Sequence, residues 1–384
     1  METDITIIGA GLAGSIAAIK FSQMGYKIIC VDYNNQDKKI IDFRSTALLL
    51  PSISLLKNCG VWDSLEVTAS PLVGIKICDV SDEKNIKNIE FKSSEIGEKY
   101  FGFNIKNQIL HRHLNQFLIA DKNITMVNND EFVNVKFRTN ASYVELKSGK
   151  RIKCKLLIGA DGRNSSVREK LLIETTTKKY NQHALAFIID HQKQHSNVSI
   201  EVYKSGGPFT IVPLSNPYES AVIWMEDTKF VQTVLKLDKQ SFNKHITDRS
   251  GNCLGDLNLK SELSNWPIIN QLSKKIIGNR SALIAEAAHV LPPIGAQGLN
   301  MSIKDIKVLA DTIEGSKDPG CQKNLIAYEK TRMKKIAMRS RIVNGLNLSS
   351  ISKNSHLQKA RSNALDLISS SSIAKNMLIN IGLG

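Results

Sequence analysis

Asp4-Ile-Thr-Ile-Ile8 is a short β-rich run leading into Gly9-Ala-Gly11-Leu-Ala-Gly14, and no other stretch restricts the fold of this chain as much. Ser15-Ile-Ala-Ala-Ile-Lys-Phe21 follows with helical spacing, and a second β-rich run, Lys27-Ile-Ile-Cys-Val31, ends on Asp32. Three glycines at this spacing are a weak signal alone. Set between a strand and a helix, with an acid closing the next strand, they form the fingerprint of a dinucleotide-binding βαβ unit. The first glycine permits the tight turn, the second lets a pyrophosphate approach the backbone, and the third brings helix against strand. A carboxylate at Asp32 can accept hydrogen bonds from a ribose.

Two later segments follow the same plan of strand, loop and helix. Ser281-Ala-Leu-Ile284 is apolar and runs through Ala285-Glu-Ala-Ala-His-Val-Leu-Pro-Pro-Ile-Gly-Ala-Gln-Gly-Leu-Asn300, with helical spacing from Leu299 onward. A proline-stiffened loop ending at a helix N-terminus presents backbone N–H groups and the positive end of the dipole to an anion or an electron-rich ring. Lys155-Leu-Leu-Ile-Gly159 is a further apolar run, closed by Ala160-Asp161-Gly162, with Ser165 or Ser166 placed to cap the next helix. By itself that Asp-Gly reads as an ordinary turn.

In order and spacing, the three segments together resemble the group A flavoprotein monooxygenases, the aromatic hydroxylases of the p-hydroxybenzoate hydroxylase type. Asp42-Phe-Arg44-Ser-Thr-Ala-Leu48, Leu55-Leu-Lys-Asn-Cys-Gly-Val-Trp62 and Gly206-Gly-Pro-Phe-Thr-Ile-Val-Pro-Leu214 are similar, more narrowly, to the ubiquinone-biosynthesis hydroxylases. The resemblance runs from residue 1 to about residue 350. It implies an α/β fold, in which a Rossmann-like FAD-binding domain of the p-hydroxybenzoate hydroxylase type carries an inserted antiparallel-sheet substrate domain. It also implies FAD as cofactor and ring hydroxylation of a polyprenylated phenol by O2 through a flavin C4a-hydroperoxide. One fingerprint leaves no second nucleotide domain, so NAD(P)H would bind transiently, or another reductase would deliver the electrons. Other ubiquinone-biosynthesis proteins are implied as possible partners.

The resemblance assigns roles residue by residue. Gly9, Gly11 and Gly14 would pass the pyrophosphate, and Asp32 would take the adenosine ribose. Arg44 and Asp161 would sit near the pyrophosphate, with Arg112 of Leu110-His-Arg-His-Leu114 a further candidate and a surface arginine the plainer reading of Arg44. Pro293, Gly295, Gln297 and Gly298 would line the flavin ring where the chemistry occurs. The amides near Gly298, Leu299 and Asn300 would stabilise negative charge on the reduced ring, as an oxyanion hole does. The family has Gly-Asp before Ala-Ala-His, and here those places hold Ala285 and Glu286. Glutamate keeps the carboxylate at the ribityl chain with a longer reach, and Ala285 adds a methyl where strand meets loop. His289 has a pKa suited to a base, yet its place in the family's loop makes it a support for the backbone.

A chain of 384 residues buries a large core and normally divides into two domains. Its 42% hydrophobic and 23% charged residues are those of a globular protein. No run reaches the ~20 apolar residues of a membrane span, and the immediate entry into a strand leaves no room for a signal peptide. The six cysteines are scattered without a paired motif, which suits buried free thiols in a reducing compartment and makes the cytoplasm the default. The net charge of +15 is spread along the chain among many Ile and Asn, as AT-rich coding produces. It concentrates only at Lys330, Arg332, Lys334, Lys335, Arg339 and Arg341. Ile336, Met338, Ile342, Val343 and Leu346 have helical spacing there, so this helix either lies on an anionic membrane or covers a domain with a solvated face. Nothing resembles a nucleic-acid module, and no histidine spacing suggests a metal site.

Placing the nucleotide motifs on the chain gives a discontinuous FAD domain at 1–75, 100–180 and 270–345. The substrate domain then takes 76–99 and 181–269, and 346–384 forms a C-terminal helical segment in which Ser369–Ser372 is a turn. Ala184–Ile189, Ser199–Tyr203, Phe209–Leu214 and Ser220–Trp224 are strand-like runs at short intervals, predicting an antiparallel sheet, with another strand or two in 71–98. Two rivals share the fold. Flavin-dependent halogenases carry Trp-x-Trp-x-Ile-Pro, which Trp224 and Trp266 do not supply. A non-catalytic scaffold subunit of the ubiquinone-biosynthetic complex is favoured only by the Ala285-Glu286 departure.

Overall fold

The computed structural model describes residues 1–34, 42–80, 86–204, 206–352 and 375. Ser369–Ser372 and all of the C-terminal segment beyond 352, Lys375 apart, lie outside the described residues.

The first sheet is built on parallel strands. Its order is Ile277–Gly278, Ser281–Leu283, Arg151–Gly159, Glu2–Ile8, Ile28–Val31 and Ile124–Val127, with Ser142–Leu146 added antiparallel to Arg151–Gly159 and Phe132–Phe137 antiparallel to Ser142–Leu146. Its central strands are near-continuous runs of buried Ile, Leu and Val, as expected when helices cover both faces. The helices Leu12–Gln23 and Gln297–Ile313 pack on each other and on this core, burying Ile16, Ile19 and Phe21 against Ile306, Leu309 and Ile313 among others. Each fully buried side chain of this size stabilises by ~1.5–3 kcal/mol.

The second sheet is mostly antiparallel. Ser264–Ser273, Thr175–His191, Glu219–Asp227, Pro208–Pro213, Val198–Tyr203, Gly74–Asp79 and Lys87–Lys92 follow in that order, and only Val198–Tyr203 with Gly74–Asp79 is parallel. All four predicted runs are strands of this sheet, joined by two strands from the 71–98 region. Thr175–His191 runs unbroken through residue 180 and pairs within the second sheet from Thr175 onward. The segment after Leu283 passes from the first sheet to the second, since His289–Val290 pairs antiparallel with Ser264–Ser273. One face of the second sheet holds the helices Thr228–Val234 and Lys239–Arg249 over Phe187, Phe209 and Trp224. A small third sheet, Ser45–Leu49, Gly102–Lys106 and Ser70–Leu72, lies between.

Among the described residues no helix is long and apolar enough to cross a membrane. The basic segment forms one 30-residue helix, Gln322–Ile351. Cys30, Cys59, Cys78 and Cys154 are buried free thiols.

Candidate functional site

Register brings the three motifs to one edge. Ile8 pairs with Gly159 and with Val31, and Gly159 pairs with Leu283. Gly9, Ala160, Ile284 and Asp32 are the next residues, so all three loops leave the carboxyl ends of neighbouring parallel strands. That is where open α/β sheets bind ligands.

Within the first loop the glycines are there for different reasons. Gly9 has φ +99°, and a Cβ on it would lie 2.5 Å from the Ala160 carbonyl oxygen. A Cβ on Gly14 would run into the Gly9 carbonyl oxygen, so this glycine lets helix and strand touch. Gly11 has φ −64°, and a Cβ there meets nothing within 4 Å. It is also the N-cap of Leu12–Gln23, with no side chain capping that helix. Asp32 is buried and accepts from Ala10 N (2.6 Å) and Asn34 N (2.8 Å), so its carboxylate ties the glycine turn to the second strand. His111 faces the same point. Burial pushes its imidazole pKa down, partly opposed by Asp32, the Ala10 backbone it hydrogen-bonds, and Asp42. Arg112, the sequence candidate from that helix, is exposed.

Asp161 stands beside this turn, with its Cα 2.9 Å from where a Gly9 Cβ would be. Its carboxylate accepts from Ser165 Oγ (2.5 Å), Ser166 Oγ (2.9 Å) and Val167 N (3.1 Å), while Ser165 caps the short helix through Arg168 N. Arg168 then links the second motif to the third, donating to Ala287 O (3.0 Å) and Arg163 O (2.8 Å).

At the third loop Ala285 has φ +57°, the left-handed region that favours glycine. The added methyl therefore costs backbone strain, and the Ala285 N–H is fixed by Asp305 Oδ2 at 2.9 Å. Left-handed alanine costs ~1–2 kcal/mol, and the extra freedom of an unfolded glycine returns ~0.4–1. Ala285→Gly is expected to raise stability by about 0.5–1 kcal/mol in chemical denaturation; a loss of stability would mean the strain is not there. Glu286 is exposed, with Arg163 Nε 3.6 Å away. Arg44 makes a two-pronged contact with Asp42 (both 2.8 Å) and lies 5.8 Å over the Trp266 ring of the second sheet. The hydrogen bond to Asp42 raises its pKa against the opposing effect of burial, and the charges of Asp42 and Glu286 add to the rise.

The proline-glycine loop completes the edge. Gly295 (φ +65°) and Ala296 (φ +55°) turn the chain into Gln297–Ile313, whose N-terminus has no side-chain cap. The helix thus begins two residues before the predicted Leu299. Gln297 is buried and bonds back to Gly295 O (2.6 Å), while Gly298 is open to space around it. Pro293 and Leu299 are half-buried. Asn300 uses its side chain as a stitch, accepting from Leu49 N (3.0 Å) and Ser52 Oγ (2.7 Å) and donating to Ala47 O (2.8 Å) and Ala296 O (2.6 Å). The first-turn backbone amides of this helix are what remain for a ligand.

Beneath the loop is a buried ionic network the sequence reading did not find. His289 Nε2 meets Asp305 Oδ2 at 2.7 Å, and Arg332 meets Asp305 Oδ1 at 2.7 Å. Burial pushes the Asp305 carboxyl up, but His289 and Arg332 outweigh it and hold it below the usual range. His289 therefore supports the loop through Asp305.

The family described as FAD binding domain matches residues 2–339. The ubiquinone hydroxylase UbiL of Rhodospirillum rubrum is 25% identical over 336 residues, covering 86% of this chain and 77% of that protein. The 3-demethoxyubiquinol 3-hydroxylase of Escherichia coli is 23% identical over 323 residues, covering 83% and 81%. In fold the chain is similar to the p-nitrophenol 4-monooxygenase PnpA from Pseudomonas putida (TM-score 0.82, 15% identity, 100% of this chain and 98% of that one). It is likewise similar to PqsL of P. aeruginosa (TM-score 0.79, 17% identity, 92% and 97%).

Proposed function

The chain belongs to the FAD binding domain family, and on that premise we propose that it is an FAD-dependent monooxygenase hydroxylating the ring of a polyprenylated phenol in ubiquinone biosynthesis. One observation carries the reading: three glycine-bearing loops meet at the carboxyl ends of adjacent parallel strands, and the first and third of them feed helix N-termini that no side chain caps. Gly11 gives the test of fit, because no neighbouring atom requires glycine there, whereas a bound pyrophosphate does.

When bound, FAD supplies electron storage and O2 activation. Gly9, Gly11, Gly14 and the N-terminus of Leu12–Gln23 hold the pyrophosphate, with Arg44, Asp161 and Arg112 around it. Asp32 has lone pairs left for the ribose, and Glu286 takes the ribityl chain. Pro293, Gly295, Gln297 and Gly298 line the ring, and the amides of Gly298, Leu299 and Asn300 neutralise charge on it. Ile294 of this loop, with Leu291 packed alongside, joins a buried apolar cluster with Met225 and Ile268 of the second sheet. Such a seam excludes water from a phenol ring, which oxygen transfer requires. The nucleotide-binding part takes 1–75, 100–180 and 270–345, and the substrate part takes 76–99 and 181–269. The protein works in the cytoplasm, in peripheral contact with the membrane and with other ubiquinone-biosynthesis proteins, and draws electrons from NAD(P)H or another reductase.

Purified protein titrated with FAD is expected to show oxidised-flavin bands and quenched flavin fluorescence. Adding NAD(P)H with a prenylated phenol should bleach those bands. Flavin that stays oxidised points to another reductase. Protein that takes up no flavin at any concentration overturns the enzyme and promotes a scaffold, the reading that Ala285 and Glu286 favour.

A further inference from the structure

The two faces of the second sheet differ. Phe187, Val202, Phe209, Val222 and Trp224 are buried on the face under Thr228–Val234 and Lys239–Arg249. Strand alternation puts their neighbours on the other face. There Ala184 and Met225 pair across strands and cluster with Ile294 of the proline-glycine loop, so this face meets the loop assigned to the flavin ring. Two residues along, Ala186, Ile223, Thr210, Glu201 and Ile77 pair in one row across five strands. Ile223, Thr210, Glu201 and Ile77 are only half-buried, so this face is not packed shut as the opposite one is.

Glu201 is the charged member of that row, between Thr210 and Ile77. Its carboxylate accepts from Tyr203 Oη on the same face, and among the described residues no cation pairs with it. Asp79, paired with Tyr203, already has a partner of its own. Burial pushes the Glu201 pKa up, opposed in part by the Tyr203 hydrogen bond. A carboxylate offers about four lone-pair sites, so Glu201 can still accept from a further donor. A neutral donor suits an apolar face, because a cation would itself have to be desolvated there. A phenol O–H is such a donor, carried on a ring that isoleucine can pack against. Strands lie about 4.8 Å apart, which puts Glu201 ~10 Å across the sheet from Ile223, a span that the Glu201 side chain and one ring bridge.

We propose that Glu201 takes the phenol hydroxyl of the substrate and accepts its proton during hydroxylation, with Tyr203 positioning the carboxylate. This deepens the preceding reading and rests on it. As the ring gives electrons to the incoming oxygen atom, the phenol O–H bond breaks. Its proton goes to a Glu201 oxygen and its electron pair goes into the ring. Burial brings the carboxyl nearer to a phenol in proton affinity, as a general base requires.

Full-length protein loaded with FAD is titrated with 2-prenylphenol and with its methyl ether at one pH, following the flavin absorbance. The parent should bind the phenol about tenfold tighter, as a hydrogen bond to a charged acceptor allows. Glu201→Gln should lose most of that preference and keep its FAD, since position 201 is outside the three nucleotide loops. Glu201→Asp, which keeps the charge but stops short, should lose part of it. With the flavin reduced chemically and then exposed to O2, Glu201→Gln should form product about 100-fold more slowly. Should Glu201→Gln not fold, the same comparisons on Glu201→Asp decide. A parent that binds phenol and ether alike, or variants that prefer the phenol or hydroxylate it as the parent does, overturns the proposal. Parent protein that hydroxylates the phenol without preferring it to the ether removes Glu201 alone, whereas parent protein that holds no FAD removes the hydroxylase reading too.

Discussion

Asp305→Asn is expected to lower the folding free energy by about 3–5 kcal/mol, the usual cost of leaving buried charges without their partner. Asp305 is fully buried and, among the described residues, is the one acid paired with both His289 and Arg332, each also buried. Asparagine keeps the shape and some hydrogen bonding but leaves the Arg332 guanidinium uncompensated. The Ala285 N–H loses its anionic acceptor as well, so a strained residue at the third loop is released. The effect should therefore reach flavin retention as well as stability. Acid gives an independent check. The folded pKa of Asp305 lies below its unfolded value near 3.9. Its contribution is thus fully present above that value and lost as pH falls through the folded pKa. Wild-type protein should lose stability over that acid range more steeply than Asp305→Asn. Chemical denaturation from neutral pH to about pH 3 measures both, and a difference under about 1 kcal/mol at neutral pH would remove the network from the account.

Both partners in that network left traces in the sequence. Asp305 falls four residues after Met301 and four before Leu309, within the buried stripe of its helix. Arg332 falls in the stripe of Leu325, Tyr328 and Ile336. A charge in an apolar stripe needs a buried partner, so two such charges on neighbouring helices were a readable pair. The same phase argument separates Arg112 from His111. Leu110, Leu114 and Leu118 define the buried face of Asn107–Ala120, and position 112 lies about 200° round the helix from 110, while 111 flanks that face. The motif turns and the antiparallel strands were legible because strand period and glycine position are local properties. Asn300 was not, since its side chain answers to Ala47, Leu49 and Ser52, far away in sequence. Asp161 was half legible: its place beside the turn followed from the motif, but its carboxylate serves Ser165 and Ser166.

Gly11→Ala and Gly14→Ala should separate binding from folding. The Gly11 backbone is one that alanine adopts freely, and the space a methyl would fill is empty of protein. Stability should change by no more than about 0.5 kcal/mol. If that space belongs to a pyrophosphate, however, the methyl stands between phosphate and backbone amides. Affinity for FAD should then fall by roughly 100-fold, equivalent to ~2.7 kcal/mol. Gly14→Ala reverses the pattern. Its methyl collides with the Gly9 carbonyl, which cannot give way because Gly9 is itself wedged against Ala160 and Asp161. Separating the helix from the strand should cost about 1–3 kcal/mol or more, with flavin lost because the turn is lost. Denaturation midpoints and FAD titration on both variants decide the matter. Gly11→Ala protein that is folded but colourless is the expected result, and Gly11→Ala protein that keeps its flavin at parental affinity would place the pyrophosphate somewhere other than this turn.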